Sequence, residues 1–184
     1  MSLTLVTPPA AEPVTLSEAK AHLKVDTTAD DTLITSLIVA ARARAEWHTG
    51  RAFVTQSWTL WLDAWPANGL IEIPLPPLQS VTEVTVYASD DTPSVLDPSA
   101  YQIDAASAPA RLMRKNEPRT DLRAVNAVEI EFTAGYGGAS AVPQAVKQAI
   151  LQIVADLYSH RGDEADIVSS AAQALLAPYR IFRL

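Results

Sequence analysis

"FTAGYGGASAVPQAVKQAILQIVADLYSHRGD" runs from Phe132 to Asp163 and holds the junction on which the fold turns. Its left end continues a period-two pattern. Val128, Ile130 and Phe132 alternate with Glu129 and Glu131, as on a strand with one buried face. Its right end has helical period. Val142, Val146, Ala149, Ile150, Ile153 and Leu157 form one stripe, and Leu151, Val154 and Tyr158 widen it, so the helix is expected to be buried on more than one side. Pro143 suits the first helical turn and Gly162 the close. A helix of about 19 residues would be roughly 28 Å long. Between strand and helix, Gly135, Gly137 and Gly138 pose the question of a phosphate cradle. A P-loop needs a lysine and a hydroxyl directly after its glycines, and a dinucleotide fingerprint needs three glycines at fixed spacing. The next lysine is Lys147. The corner therefore reads as a turn that leaves an edge strand and joins two structural layers.

Working outward, the segment before Phe132 keeps the strand period as far back as Phe53. "VTQSWTLWLDAWP" places Val54, Trp58, Leu60 and Leu62 on one face, with Gln56 the exception. "GLIEIPLPPLQS" is a short strand ended by Pro74, Pro76 and Pro77, which cannot donate to a central ladder. "VTEVTVYASDD" gives a further strand and turn, and "YQIDAASAPARLMRKNEP" a pair of short strands. Upstream, "VTLSEAKAHLKV" opens with Thr15 and Glu18 in capping-box spacing, and Leu16, Ala19 and Leu23 share a helical face. Asp30 or Asp31 can cap a second helix, in which Leu33, Ile34, Leu37, Ile38, Ala41 and Ala45 form a stripe closed by Gly50. Downstream, "ADIVSSAAQALLAPYRIFRL" gives a last short helix stopped by Pro178, then an extended apolar-basic tail.

The expected fold class is thus α+β. Helices from the two ends of the chain form a bundle, and a small antiparallel β sheet or sandwich is inserted between them. The chain reads as one domain: a lead over 1–14, helices over 15–50, a β insertion over 53–132, helices over 140–177, and a tail over 178–184.

Composition narrows the function classes. The chain has 184 residues, 48% of them hydrophobic and 19% charged, with 21 acidic against 14 basic residues and a net charge of -7. Duplex binders draw affinity from neutralising phosphates, so an acidic body argues against a DNA-binding protein, though not against a wall that DNA slides past. No apolar run reaches the roughly 18 residues of a membrane span, and the start lacks the pattern of a signal peptide, so the protein is expected to be neither membrane-bound nor exported. There is no cysteine, which removes disulfides, thiol nucleophiles and thiolate metal sites together.

No catalytic, cofactor or metal site emerges. His22, His48 and His160 lie on three different helices and in no metal-binding spacing; His48 near Glu46, and His160 near Asp156 and Asp163, are the only candidate acid–base pairs. Ser57, Ser80 and Ser140 lack a nucleophile-elbow context. Trp47, Trp58, Trp61 and Trp65 cluster in one segment and read as a core joining helix to strand, with Trp61 on the face opposite Trp58, so that one of these two is open to a partner. Arg111, Arg114, Lys115, Arg119 and Arg123 form a local basic excess: a solvated loop, or an arm that meets a neighbouring copy or brushes phosphates. In the tail, Tyr179, Ile181, Phe182 and Leu184 are interleaved with Arg180 and Arg183, a pattern suited to adding a strand to a partner.

In order and spacing these blocks resemble a known family. "LSEAKAHLKVDTTADDTLITSLIVAARARAEWHTGRAF", "IPLPPLQSVTEVTVYASDD", "YQID" and "VEIEFTAGYG" followed by "VPQAVKQAILQIVADLYSHRGD" are similar to the head–tail connector proteins of long-tailed phages, prophages and gene transfer agents, also called adaptor or head-completion proteins. The resemblance spans about Thr15 to Arg180. It implies a structural virion protein with no cofactor, repeated around a ring of commonly twelve copies beneath the portal. Such a ring receives the next neck component, or stopper, and extends the channel through which DNA passes without specific binding. It also implies a place at the virion neck after assembly in the host cytoplasm. The closing segment "LLAPYRIFRL" resembles the family's portal contact, which assigns Tyr179, Arg180, Ile181, Phe182, Arg183 and Leu184 to portal docking. The other readings are a monomeric binding module that uses an exposed aromatic and a hydrolase that uses a histidine–carboxylate pair.

Overall fold

The computed structural model describes residues 1–116, 121–160 and 168–181. It divides into two compact units, Ala10–Val54 with Tyr136–Leu184 and Met1–Pro9 with Thr55–Gly135. Helices occupy the first and antiparallel sheets the second, so the α+β class is observed.

The helical unit contains α1 (Leu16–Leu23), α2 (Asp31–Thr49), α3 (Gln144–Ser159) and α4 (Ser170–Leu176). α1 starts with the expected capping box: the Thr15 hydroxyl accepts from the Glu18 N–H, and the Glu18 carboxylate accepts from the Thr15 N–H at 2.7 Å. α2 starts at the expected residue but without the expected capping bond. Asp30 takes the cap position but makes no side-chain cap bond; its carboxylate accepts from the Tyr158 hydroxyl at the end of α3. Asp31 is drawn aside by Lys20, 2.6 Å away. Both aspartates therefore tie helices together. α3 packs on α1, α2 and α4, in keeping with its wide stripe. Ile34, Ile38, Phe53, Val146, Ile150, Ile153 and Leu176 are buried in the shared core, each contributing about 1.5–3 kcal/mol of burial.

α3 is shorter than the spacing suggested, with 16 residues and an end at Ser159 capped by His160; Gly162 lies outside the described residues. Pro143 stands just before the first turn, as its cap residue. α4 is started by Ser169 and ends at Leu176, capped by Ala177 directly before Pro178, which has no N–H to continue the helix. That proline sits inside a 3-10 turn, Ala177–Tyr179, and extended backbone begins at Arg180.

The β unit has a five-stranded antiparallel sheet in the order β1-β2-β8-β4-β5, built from Ser2–Thr7, Gln56–Leu62, Val128–Ala134, Leu78–Tyr87 and Pro93–Val95. A three-stranded sheet follows the order β3-β7-β6, from Leu70–Ile73, Ala110–Arg114 and Tyr101–Asp104. Leu60, Leu62, Val84, Val86, Val128, Ile130 and Phe132 are buried on one face of the larger sheet, and Ile71, Ile73, Ala110 and Leu112 are buried in the smaller. The opposite face of the larger sheet carries Trp61, Tyr87, Glu129 and Glu131.

Two strands escaped the sequence reading: β5, and β1 in the lead, where Ser2 lies opposite Trp61 and Leu5 opposite Trp58. β8 is also not an edge strand as expected. It lies at the centre, between β2 and β4. The glycine corner thus leaves the middle of the sheet. Gly135 and Gly137 have φ of 119° and 129°, which a side chain would resist, and a Cβ on Gly137 would stand 3.2 Å from that of Ala141. Those glycines are required by the backbone path of the turn.

Candidate functional site: the tail seat and the basic segment

The tail begins on a prepared seat. The last carbonyls of any α-helix lack helical partners. At the end of α2 the Thr49 carbonyl accepts the backbone N–H of Ile181 at 2.9 Å. Gly50 closes the helix in the left-handed conformation, φ 70°, and a Cβ placed there would lie 3.7 Å from that of Ile181. Arg51 Nε donates to the Tyr179 carbonyl, and the half-buried Tyr179 ring packs against the helical core. His48 lies on the same turn. Burial, and then the positive charge of Arg180, hold its imidazole below the usual histidine range. Tyr136 is pushed up, chiefly by burial, with Arg51 opposing and Tyr179 adding to the shift. Tyr179, Arg180 and Ile181 therefore meet their own unit at residues His48–Arg51, whereas Phe182, Arg183 and Leu184 lie outside the described residues.

A second fixed point lies further up α2. Arg42 Nε meets the Glu12 carboxylate at 2.7 Å and its Nη1 meets Glu46, all three side chains being mostly buried. Burial alone would lower the guanidinium's pKa, but the two carboxylates together raise it. Glu46 also accepts the Phe53 N–H at 2.8 Å, which fixes the chain as it leaves α2. The Glu12 contact ties the end of the lead to the helix.

Three of the described basic residues engage partners within the β unit. Arg111 on β7 pairs with Asp104 on β6 at 2.6 Å, and Ser107 and Arg111 hold that carboxyl well below the usual carboxylate range. Arg114 lies over the Trp65 ring, 5.4 Å from its centroid. Arg123 lies 3.9 Å from the centroid of the Tyr87 ring and donates to the Asn126 carbonyl and to Asp91. Lys115 is exposed, and Arg119 lies outside the described residues.

The tryptophans do not form a joining core. Trp47 is 80% exposed on α2, while Trp58, Trp61 and Trp65 are half-buried in the β unit, Trp61 standing 6.1 Å from Tyr87. Helical spacing places Trp47 on the far side of α2 from Ile38, Ala41 and Ala45, a signal that the clustering of tryptophans along the chain obscured.

Of the candidate acid–base partners, Glu46 is engaged by Arg42 and by the Phe53 N–H. His160 Nδ1 faces the backbone carbonyl of Asp156 at 2.9 Å rather than its carboxylate, and Asp163 lies outside the described residues. Among the described residues no group of acidic and histidine side chains could hold a metal ion, and no helix is long and apolar enough to cross a membrane. An open groove of about 600 Å³ along α1 is lined by Leu16, Ser17, Lys20, Ala21, Val25 and Asp26, and the Lys20 ammonium there is paired with Asp31.

Residues 13–92 match the model of the phage gp6-like head–tail connector family. No functionally curated protein matches the chain in sequence. Among solved structures, a chain in the neck of an empty gene transfer agent particle, computed with C6 symmetry, superposes with a TM-score of 0.86 at 26% identity, over 100% of this chain and 97% of that one. A chain of the virion of a native gene transfer agent particle gives 0.84, and one in the neck of a native particle computed with C12 symmetry gives 0.82, both at the same identity and coverage. The family match over residues 13–92 and the full-length likeness to proteins of gene transfer agent necks together support a head–tail connector of the kind found in phages and gene transfer agents.

Proposed function

We propose that the protein forms a ring of twelve copies in the neck of a phage-like virion, between the portal and the next neck component, after assembly in the host cytoplasm. One observation carries this reading: the whole chain superposes on a neck protein, over 97% of that protein's length, in particles computed with C6 and C12 symmetry. The ring extends the DNA channel. Its net charge of -7 suits a passage through which DNA moves without sticking. Residues Tyr179–Leu184 dock on the portal from the seat at the end of α2, and exposed Lys115, with the half-exposed Arg111, meets a neighbouring copy or the DNA backbone.

The docking assignment is tested by a chain ended after Tyr179, which keeps the Tyr179 ring on the core. Portal association measured by co-purification should be lost while circular dichroism and melting stay close to those of the full chain. Portal binding retained by the truncated chain would overturn the assignment to the tail.

A further inference from the structure

Four strand edges bound the two sheets, and three of them carry the features that discourage pairing with another chain. β5 has three residues and starts with Pro93, which has no N–H to donate. β3 has only four residues and carries the exposed charge of Glu72. β6 has four and ends at Asp104, whose charge is held by Arg111. The outer edge of β1 is built in the opposite way. Its six residues, "SLTLVT", contain no charge and no proline. Leu5 and Val6 are 43% and 58% exposed, and Met1 beside them is 70% exposed. Among the described residues no strand pairs with that edge.

An unprotected edge presents a row of backbone donors and acceptors that only an extended segment can satisfy along its length. We propose that β1 receives an extended segment of the neighbouring copy, which continues the five-stranded sheet across the subunit boundary. This rests on the ring reading above. In a closed cyclic ring every copy meets its neighbour through two different surfaces, so a single unguarded edge is matched by a different segment of the next chain. Necks computed with C6 and C12 symmetry, in which the similar proteins sit, place identical copies side by side. A six-residue strand spans roughly 20 Å, and one such pairing is marginal in water. The edge is therefore open in the isolated chain and closes only when the ring does.

Hydrogen–deuterium exchange of the peptide covering Met1–Thr7 tests this, compared between the isolated chain and assembled particles. Deuterium uptake should fall by about half on assembly, since one row of amides already faces β2 and the other becomes paired. Identity of the neighbour comes from L5C, the sole thiol in a chain without cysteine, joined through a short thiol-to-amine cross-linker in the particle. A cross-linked product of two copies of this chain supports the proposal. Unchanged uptake in particles that show a ring by electron microscopy overturns it and leaves the ring standing. Protection with a cross-link to another virion protein overturns the second copy as occupant. Absence of any ring removes the parent reading as well.

Discussion

Ile181 donates its backbone N–H to the carbonyl of Thr49 at 2.9 Å, so the tail of the chain caps the C-terminal end of α2. The tail is thus registered on the helical unit at Ile181, and its path there is fixed to within a hydrogen bond. Arg180, between the two anchored residues, brings its charge close enough to His48 to lower that imidazole's pKa, secondarily to burial.

That proximity can be read in solution. The His48 pKa is lowered in the folded state, so the unfolded chain takes up the proton first as pH falls. Stability should decline from about pH 6.5 down to the folded value and level off below it. Replacing Arg180 with alanine should move the His48 titration upward, part of the way to the usual value, because burial remains. An unchanged NMR titration would mean that Arg180 does not sit at the end of α2.

Gly50 supports the same seat. Alanine there must adopt φ near 70°, which costs about 1 kcal/mol. In a chain of this size that is a fall of about 2–4 °C in melting temperature. The space toward Ile181, 3.7 Å, is ordinary contact, so backbone strain alone accounts for the loss. A variant that melts with the parent would contradict a left-handed residue at this position.

Arg42 carries more. Its removal leaves the mostly buried carboxylates of Glu12 and Glu46 without their cation. Breaking a buried pair from one side costs roughly 3–5 kcal/mol. Arg42→Ala should therefore lower the denaturant midpoint sharply, and the double variant with Glu12→Gln should recover part of the loss. Additive effects of the two changes would show that the residues do not interact.

Trp47 should behave as a surface residue. At 80% exposure, Trp47→Ala is expected to change the stability of the isolated chain by no more than about 0.5 kcal/mol, measured by chemical denaturation. A cost of 3 kcal/mol or more would mean that the ring is packed.

What could be read from sequence followed the range of the signal. The capping box at Thr15, the left-handed cap at Gly50 and the alternation along β2 and β8 are local patterns, and they appear where the residues place them. β1 was missed because its partner β2 lies some fifty residues away, with two helices between, and because its six residues offer only two alternating apolar positions, Leu3 and Leu5. β5 was missed because a three-residue strand headed by proline has no period to detect. Asp30 stands at the cap of α2 as its position suggests, but neither aspartate gives its side chain to the helix start, because Lys20 and Tyr158, which claim them, are neighbours only after folding. The tail seat depends on the same kind of distant meeting: nothing in "PYRIFRL" names Thr49. The ordered blocks nonetheless carried the family, since each is a local pattern and their sequence along the chain is a long one.

The central claim is that this chain is a repeated structural part of a virion neck. Electron microscopy of the particles that carry it, reconstructed without imposed symmetry around the portal vertex, tests this most directly. The account predicts twelve copies closed in a ring beneath the portal, each with the helical and β units described above. Particles with complete necks in which this chain is absent, or present as a single copy away from the portal axis, would contradict it.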